Sequence, residues 1–205
     1  MKYIFVAGAP GSRWSSVVKN IYYSPSIDNS DYTTSRTYYH DAGDTQLIHV
    51  GAYFDPGMEF DLPENFAELS KDKLENIFNS AFTGAGVRII KSHIFSNNID
   101  FIKNTFPDCP IVLVYRNDDV CFDWWVKCGN FDIKYPNYRP YYQNLEIMIT
   151  KISKQNQGII NAINKYPNTV QSTNHTLCET LNIELPSSEH YQDYNKSDVT
   201  VTVIK

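Results

Sequence analysis

Three short stretches place residues that handle anions and protons at spacings a strand–loop–helix fold can use. The first is Gly8-Ala9-Pro10-Gly11-Ser12-Arg13-Trp14-Ser15-Ser16. Its glycines let the backbone approach a ligand closely, and a helix starting after them offers unpaired N–H groups to an anion. Ser12, Ser15 and Ser16 add hydroxyl donors, and Arg13 adds a bidentate cation. The same stretch would also serve as a Gly/Pro turn that caps a helix. It departs from the mononucleotide loop GxxxxGK[ST]: counted from Gly8, Arg13 falls at the second glycine and Trp14 at the lysine, while Ser15 fits the last position. The second stretch is Lys91-Ser92-His93. At an extended strand end, residues two apart point the same way, so Lys91 and His93 share a face. A histidine titrating near neutrality takes a proton from a hydroxyl while a neighbouring ammonium stabilises developing negative charge. The plain alternative is a solvated lysine beside a hydrogen-bonded structural histidine. The third stretch is Arg116, closing the apolar run PIVLVY and followed by Asn117, Asp118 and Asp119. Those three suit a helix cap and first turn, and Arg116 either pairs with them or meets an anion. A metal-dependent NTPase usually has a magnesium-binding Asp at such a strand end, so anion binding by protein cations fits better than metal chemistry. Asp55 and Asp61 remain possible but poorly placed metal ligands, and the five histidines form no paired metal spacing.

These residues need elements to hold them. Residues 2–8 (KYIFVAG) read as a short buried strand, followed by the loop and by a helix carrying Ser15, Val17, Val18 and Ile21. From Ser24 to about Arg36 the chain is polar and turn-rich and reads as a loop. Thr45–Val50 fits a strand, and Phe54–Phe66, with Asp55-Pro56-Gly57, reads as irregular. Leu74, Ile77, Phe78 and Ala81 predict a helix over 71–82, ended by Gly84 and Gly86. Val87–Ile90 is a predicted strand with Lys91-Ser92-His93 at its carboxyl end, and Ile99–Phe106 a predicted helix closed by Pro107. Pro110–Tyr115 is apolar enough for a central parallel strand. A helix follows with Val120, Cys121, Trp124, Trp125 and Cys128 on one stripe. After a tyrosine- and proline-rich connection at 130–142, a long helix runs to about Lys165, with Leu145, Ile149, Ile152, Ile159 and Ile163 as its expected core edge. Thr173–Leu181 reads as a shorter helix and Val199–Ile204 as a final strand. Strands alternating with helices predict one α/β domain over residues 1–205, a three-layer sandwich on a central, mostly parallel sheet.

The 205 residues, 42% of them hydrophobic and 14% aromatic, suffice for a real core and exclude wholesale disorder. The net charge of -5 lacks the broad cationic footprint of a nucleic-acid binder, so a nucleic-acid polymer is not an expected partner. No apolar run approaches the roughly 20 residues of a membrane helix, and no membrane partner is expected. The start, MKYIFVAGAPGS, imitates a signal peptide but reads as a buried first strand. Cys109, Cys121, Cys128 and Cys178 form no CxxC and no metal spacing, which points to a reduced, cytoplasmic protein in which the sequons at Asn174 and Asn195 carry no meaning.

Taken in order, the three stretches resemble the PAPS-dependent sulfotransferases of the P-loop superfamily. The family's first strand leads to Pro-Lys/Arg-Ser-Gly-Thr-Thr, here Pro10-Gly11-Ser12-Arg13-Trp14-Ser15-Ser16. Its middle strand ends in Lys-Thr-His, here Lys91-Ser92-His93. Its next strand ends in Arg-Asn-Pro before an Asp-Val helix, here Arg116-Asn117-Asp118-Asp119-Val120. The likeness spans residues 1–130. It implies a transferase that moves a sulfuryl group from PAPS to a hydroxyl or amine of an unidentified acceptor, releasing PAP without a metal. His93 would be the general base, and Lys91 with the loop 10–16 would stabilise the transferred group and leaving phosphate. Arg116 would hold the 3′-phosphate. Arg13, Lys91 and Arg116 are then expected to converge at the carboxyl edge of one sheet. Gly11 stands at the family's basic position, Arg13 where Gly is usual, Trp14 at a phosphate-contacting Thr, and Asp123 at a phosphate-binding Ser. An alternative on the same fold is a non-catalytic nucleotide- or anion-binding module, and a further one a P-loop kinase acting on a small molecule. Tyr135, Tyr138, Tyr141 and Tyr142, with Tyr38, Tyr39 and Tyr53, either line an acceptor pocket or form a proline-pinned packing segment.

Overall fold

A computed structural model describes residues 1–31, 40–42, 45–47, 50–129, 131, 139–187 and 193–205. Tyr38, Tyr39, Tyr135 and Tyr138 lie outside the described residues. The chain folds as an α/β protein around a five-stranded mixed sheet. Strands β1 (Tyr3–Gly8), β4 (Arg88–Lys91), β5 (Ile111–Tyr115), β6 (Thr169–Ser172) and β7 (Thr200–Ile204) lie in the order β4-β1-β5-β7-β6. β1 pairs in parallel with β4 on one side and β5 on the other, in the registers Val6↔Lys91 and Gly8↔Val114. β7 runs antiparallel to both β5 and β6. The expected parallel character therefore belongs to the trio β4-β1-β5, and the other half of the sheet is antiparallel. A separate antiparallel pair joins β2 (His40–Ala42) to β3 (Thr45–Leu47).

Both faces of the sheet are covered, because alternate strand residues point to opposite sides and both sets are apolar. Ile4, Val6, Val112, Val114, Val201 and Val203 form one core with helices α1 (Trp14–Tyr22), α4 (Asp118–Lys127) and α7 (Leu177–Leu181). Tyr3, Phe5, Ala7, Ile111, Leu113 and Ile204 form the other with α2 (Lys71–Asn79) and α3 (Ile99–Thr105). In that second core Phe5, Phe78, Phe95 and Phe106 meet edge-on or tilted, the arrangement that aromatic quadrupoles favour.

After the short α5 (Arg139–Tyr142), the long helix α6 (Leu145–Lys165) contributes Met148 and Ile152 to the first core and Ile159 and Ala162 to the second. Its expected core edge is corrected at one end: Leu145 and Ile149 are 45% and 48% exposed, and Met148, Gln155 and Asn156 are buried instead. The register of the buried face starts at Met148 and passes through two amide side chains that hydropathy cannot mark. β6 has no counterpart among the expected strands.

Candidate functional site

The parallel trio ends at one edge, and each strand delivers one of the three stretches there. β1, the middle strand, runs straight into the loop, while β4 and β5 flank it with Lys91-Ser92-His93 and Arg116. Crevices outside the carboxyl ends of parallel strands are where such sheets bind ligands.

The loop is pressed against α4. Gly11 has φ 79°, and a Cβ there would lie 1.8 Å from the Cys121 carbonyl oxygen, so no side chain fits at this position. Ser12 is fully buried, donates its backbone N–H to Ala9 at 3.0 Å, and keeps an Oγ without a hydrogen-bond partner. Arg13, the residue before α1, adopts the left-handed conformation with φ 62° and ψ 25°, which sterically disfavours every residue but glycine. Pro10 and Trp14 are buried, and Ser15 and Ser16 are half-buried in the first turn of α1, which carries no acid.

Arg13 and Arg116 meet at Trp124. Their guanidinium carbons lie 4.6 Å and 5.9 Å from its ring centroid, and the Lys127 ammonium lies 5.7 Å away. Arg116 donates through Nη1 to the Gly11 carbonyl at 3.3 Å, while its buried Nε has no partner. It forms no ion pair with Asp118 or Asp119. Burial holds the Arg13 guanidinium below its ordinary pKa, and the Arg116 charge adds to this; burial lowers Arg116 as well. Asn156 of α6 fixes the corner, donating Nδ2 to the Arg116 carbonyl at 2.8 Å and to Asp118 Oδ1 at 2.6 Å. Asp123 is exposed, and no Asp123–Lys127 ion pair forms.

Lys91 does not join the two arginines. Its side chain is fully buried and donates to the Val50 carbonyl, with the Trp14 and Tyr53 rings 5.8 Å and 5.6 Å from Nζ. The expected convergence of three cations is thus a convergence of Arg13 and Arg116. The segment at 50–58 is the reason: Tyr53 bridges to Lys91 in parallel, Phe54 donates its N–H to the Lys91 carbonyl at 3.0 Å, and Val50 supplies the acceptor for the ammonium.

His93 is buried under Trp14, stacked at 3.9 Å between centroids and 13° between planes, with the Tyr53 ring edge-on at 5.5 Å. Its Nδ1 bonds to the Gly8 carbonyl. A carbonyl only accepts, so Nδ1 carries the hydrogen; in the neutral ring this leaves the lone pair on Nε2, the tautomer a general base needs. Asp55, set aside above as a poor metal ligand, is fully buried here and its Oδ1 accepts from the Ser92 hydroxyl and from the His93 N–H at 2.9 Å. Burial pushes its carboxyl up to about 7 against the pull of those hydrogen bonds. Asp61 instead accepts from the Gly57 N–H at 2.8 Å in the neighbouring loop. Among the described residues no three His, Cys, Asp or Glu side chains gather as a metal site. Burial raises the Cys121 thiol to about 12 and the Cys128 thiol to about 11, so neither is a nucleophile near neutrality. Trp124, Asn156 and Asp55 are the members that sequence reasoning did not assign to the site, and Tyr53, a candidate acceptor-pocket residue, packs on His93 and Trp14. For Trp124 the signal is its indole at the seventh position of the helix that Arg116 precedes; for Asn156 there is none.

Comparison with known proteins gives no match to any family model, any curated protein or any solved structure.

Proposed function

We propose that the chain is a PAPS-dependent sulfotransferase on the three-layer, P-loop-type α/β fold, acting on a hydroxyl or amine of a small acceptor. The observation that carries the reading is the strand order β4-β1-β5, which sets His93, the loop 10–16 and Arg116 side by side at one sheet edge. The loop's departures from the family pattern have local causes. A basic side chain at Gly11 is excluded by the Cys121 carbonyl, and Arg13, where the family pattern has Gly, supplies the charge from a left-handed backbone conformation of the kind that favours glycine. The partnerless Ser12 Oγ and Arg116 Nε are buried donors suited to phosphate oxygens, since a buried polar group left without a partner is costly.

In this reading His93 Nε2 takes the proton from the acceptor hydroxyl. The acceptor oxygen forms a bond to sulfur as the bond between sulfur and the 5′-phosphate oxygen breaks, and PAP leaves. The arginines and the first turn of α1 hold the donor's phosphates, so most of the catalysis is positioning and charge stabilisation. Lys91 acts on the transferred group only by exchanging the Val50 carbonyl for it.

A second reading, a nucleotide-binding module without turnover, is favoured by the Trp14 ring stacked on His93 and by the buried Lys91. Calorimetry with PAP and a transfer assay with labelled PAPS separate the two. The transferase reading expects PAP binding that weakens about tenfold or more in Arg116→Ala, and transfer that His93→Ala removes. PAP binding without transfer to any acceptor in a broad panel leaves the module, and absence of PAP binding overturns the transferase reading and leaves the module only with another phosphorylated ligand.

A further inference from the structure

We propose that Asp55 is the positioning residue of this site: its buried carboxylate holds the turn Ser92-His93-Ile94 and thereby aims the His93 imidazole. One oxygen, Oδ1, gathers the Ser92 hydroxyl, the His93 N–H at 2.9 Å and the Ile94 N–H at 3.4 Å. These donors belong to the three residues at which β4 gives way to the 3-10 turn Ile94–Asn97. The turn begins with His93 in helical conformation and has no side-chain cap of its own, so Asp55 does from another segment what a cap does locally.

The delivery of Asp55 is equally specific. Tyr53 and Phe54 run beside Lys91 as a one-bridge extension of the sheet, and the chain turns at Asp55, whose carbonyl accepts the Met58 N–H at 3.0 Å. The same extension sets the Tyr53 ring edge-on to both His93 and Trp14. His93 is thus fixed at its backbone by Asp55, at Nδ1 by Gly8, on its face by Trp14 and at its side by Tyr53. A turn needing only a cap is served by Ser or Asn, as Ser70 and Asn144 serve the exposed starts of α2 and α6. A fully buried acid is a costly choice for that task, and here it lies beside the side chain read as the base. The consequence for turnover rests on that reading, whereas the orientation and tautomer of His93 are measurable without substrate.

Long-range proton–nitrogen NMR of the histidine rings in the full chain tests the assignment. Wild type is expected to show His93 as the Nδ1–H form at pH 8. Asp55→Ala is expected to populate both tautomers and to speed exchange of the His93 amide by about ten- to a hundredfold, the factor for losing a charge-assisted hydrogen bond. Asp55→Asn, which keeps an acceptor oxygen, restores the wild-type pattern. Asp28→Ala removes a buried acid that pairs with Arg88 at the opposite end of β4, and leaves His93 unchanged. An unaltered His93 in Asp55→Ala, or an equal disturbance in Asp28→Ala, overturns the proposal. If Asp55→Ala fails to fold, wild type still decides: His93 and Ile94 amides that exchange as fast as exposed-loop amides overturn it. The expected Asp55 result with no sulfate transfer would keep this role and discard the transferase reading.

Discussion

Ionised Asp55 is expensive, and pH reveals the expense. Burial lifts its carboxyl from 3.8 to about 7, and the Ser92 and Tyr53 hydroxyls and two backbone amides only partly offset the desolvation. A raised acid pKa means that between these values the folded chain holds a proton that the unfolded chain has released. Stability therefore falls as pH rises from about 4 to about 7 and is flat beyond. Asn carries the acceptor without the charge, so the melting temperature of wild type minus that of Asp55→Asn is expected to fall across this window, by an amount of order a few kcal/mol in stability. Thermal melts of both proteins from pH 4 to pH 8 measure it, and a difference that rises with pH refutes the assignment of the raised group to Asp55. Arg13 is a second residue held at a cost, in a left-handed conformation disfavoured by roughly 1–2 kcal/mol outside glycine. Stacking on Trp124 offsets part of that. Both costs fall on residues that face the sheet edge, as expected where function and stability compete.

Among the elements, α6 does the most to fix the edge without contributing a reacting group. Asn156 ties it to the corner carrying Arg116, and two residues on, Gly158 lets it touch the turn after β4. A Cβ at Gly158 would lie 2.1 Å from the Ser96 carbonyl oxygen, which is backbone and cannot swing aside. Gly158→Ala should therefore cost about 1–3 kcal/mol despite the better helix propensity of alanine. Urea unfolding measures this, and a stability within a few tenths of wild type would mean that helix and turn separate freely. Neither contact was legible in the sequence. The strands β1, β4 and β5 were, because their apolar runs are bounded by Gly, Lys and Arg, and so was the Cys121-Trp125-Cys128 stripe of α4. β6 was not: four residues with Val170 and Gln171 exposed show no apolar alternation, and the strand exists because β7 offers it an edge. The candidate site followed the same division. Its strand ends and loop were readable from local spacing. Asp55, Tyr53 and Val50 reach it through a one-bridge extension that periodicity cannot signal, and they take Lys91 away from the arginines.

At the scale of the molecule, an acidic chain concentrates positive charge at one place. Lys2, Arg88, Lys151 and Lys165 are each spent on a carboxylate, whereas Arg13, Arg116 and Lys127 crowd a single indole at the carboxyl edge. Holding like charges together needs a rigid sheet beneath them, and the rigidity depends on a strand remote in sequence. β7 is inserted between β5 and β6, so it closes the flank of the strand that leads into Arg116 and is the sole ladder partner of β6 among the described residues. Val199, Val201, Val203 and Ile204 are all buried, each contributing roughly 1.5–3 kcal/mol, a sum comparable to the 5–15 kcal/mol that holds a whole domain together. Deleting residues 199–205 removes that burial, opens the β5 edge and strands β6. The truncated chain is expected to lose its cooperative melt and near-ultraviolet circular dichroism, and with them any affinity for PAP, although every residue of the candidate site is still present. A truncated chain that melts cooperatively within a few degrees of the full one would instead show that β4-β1-β5 and its helices stand alone, with the antiparallel half of the sheet an accessory to the site.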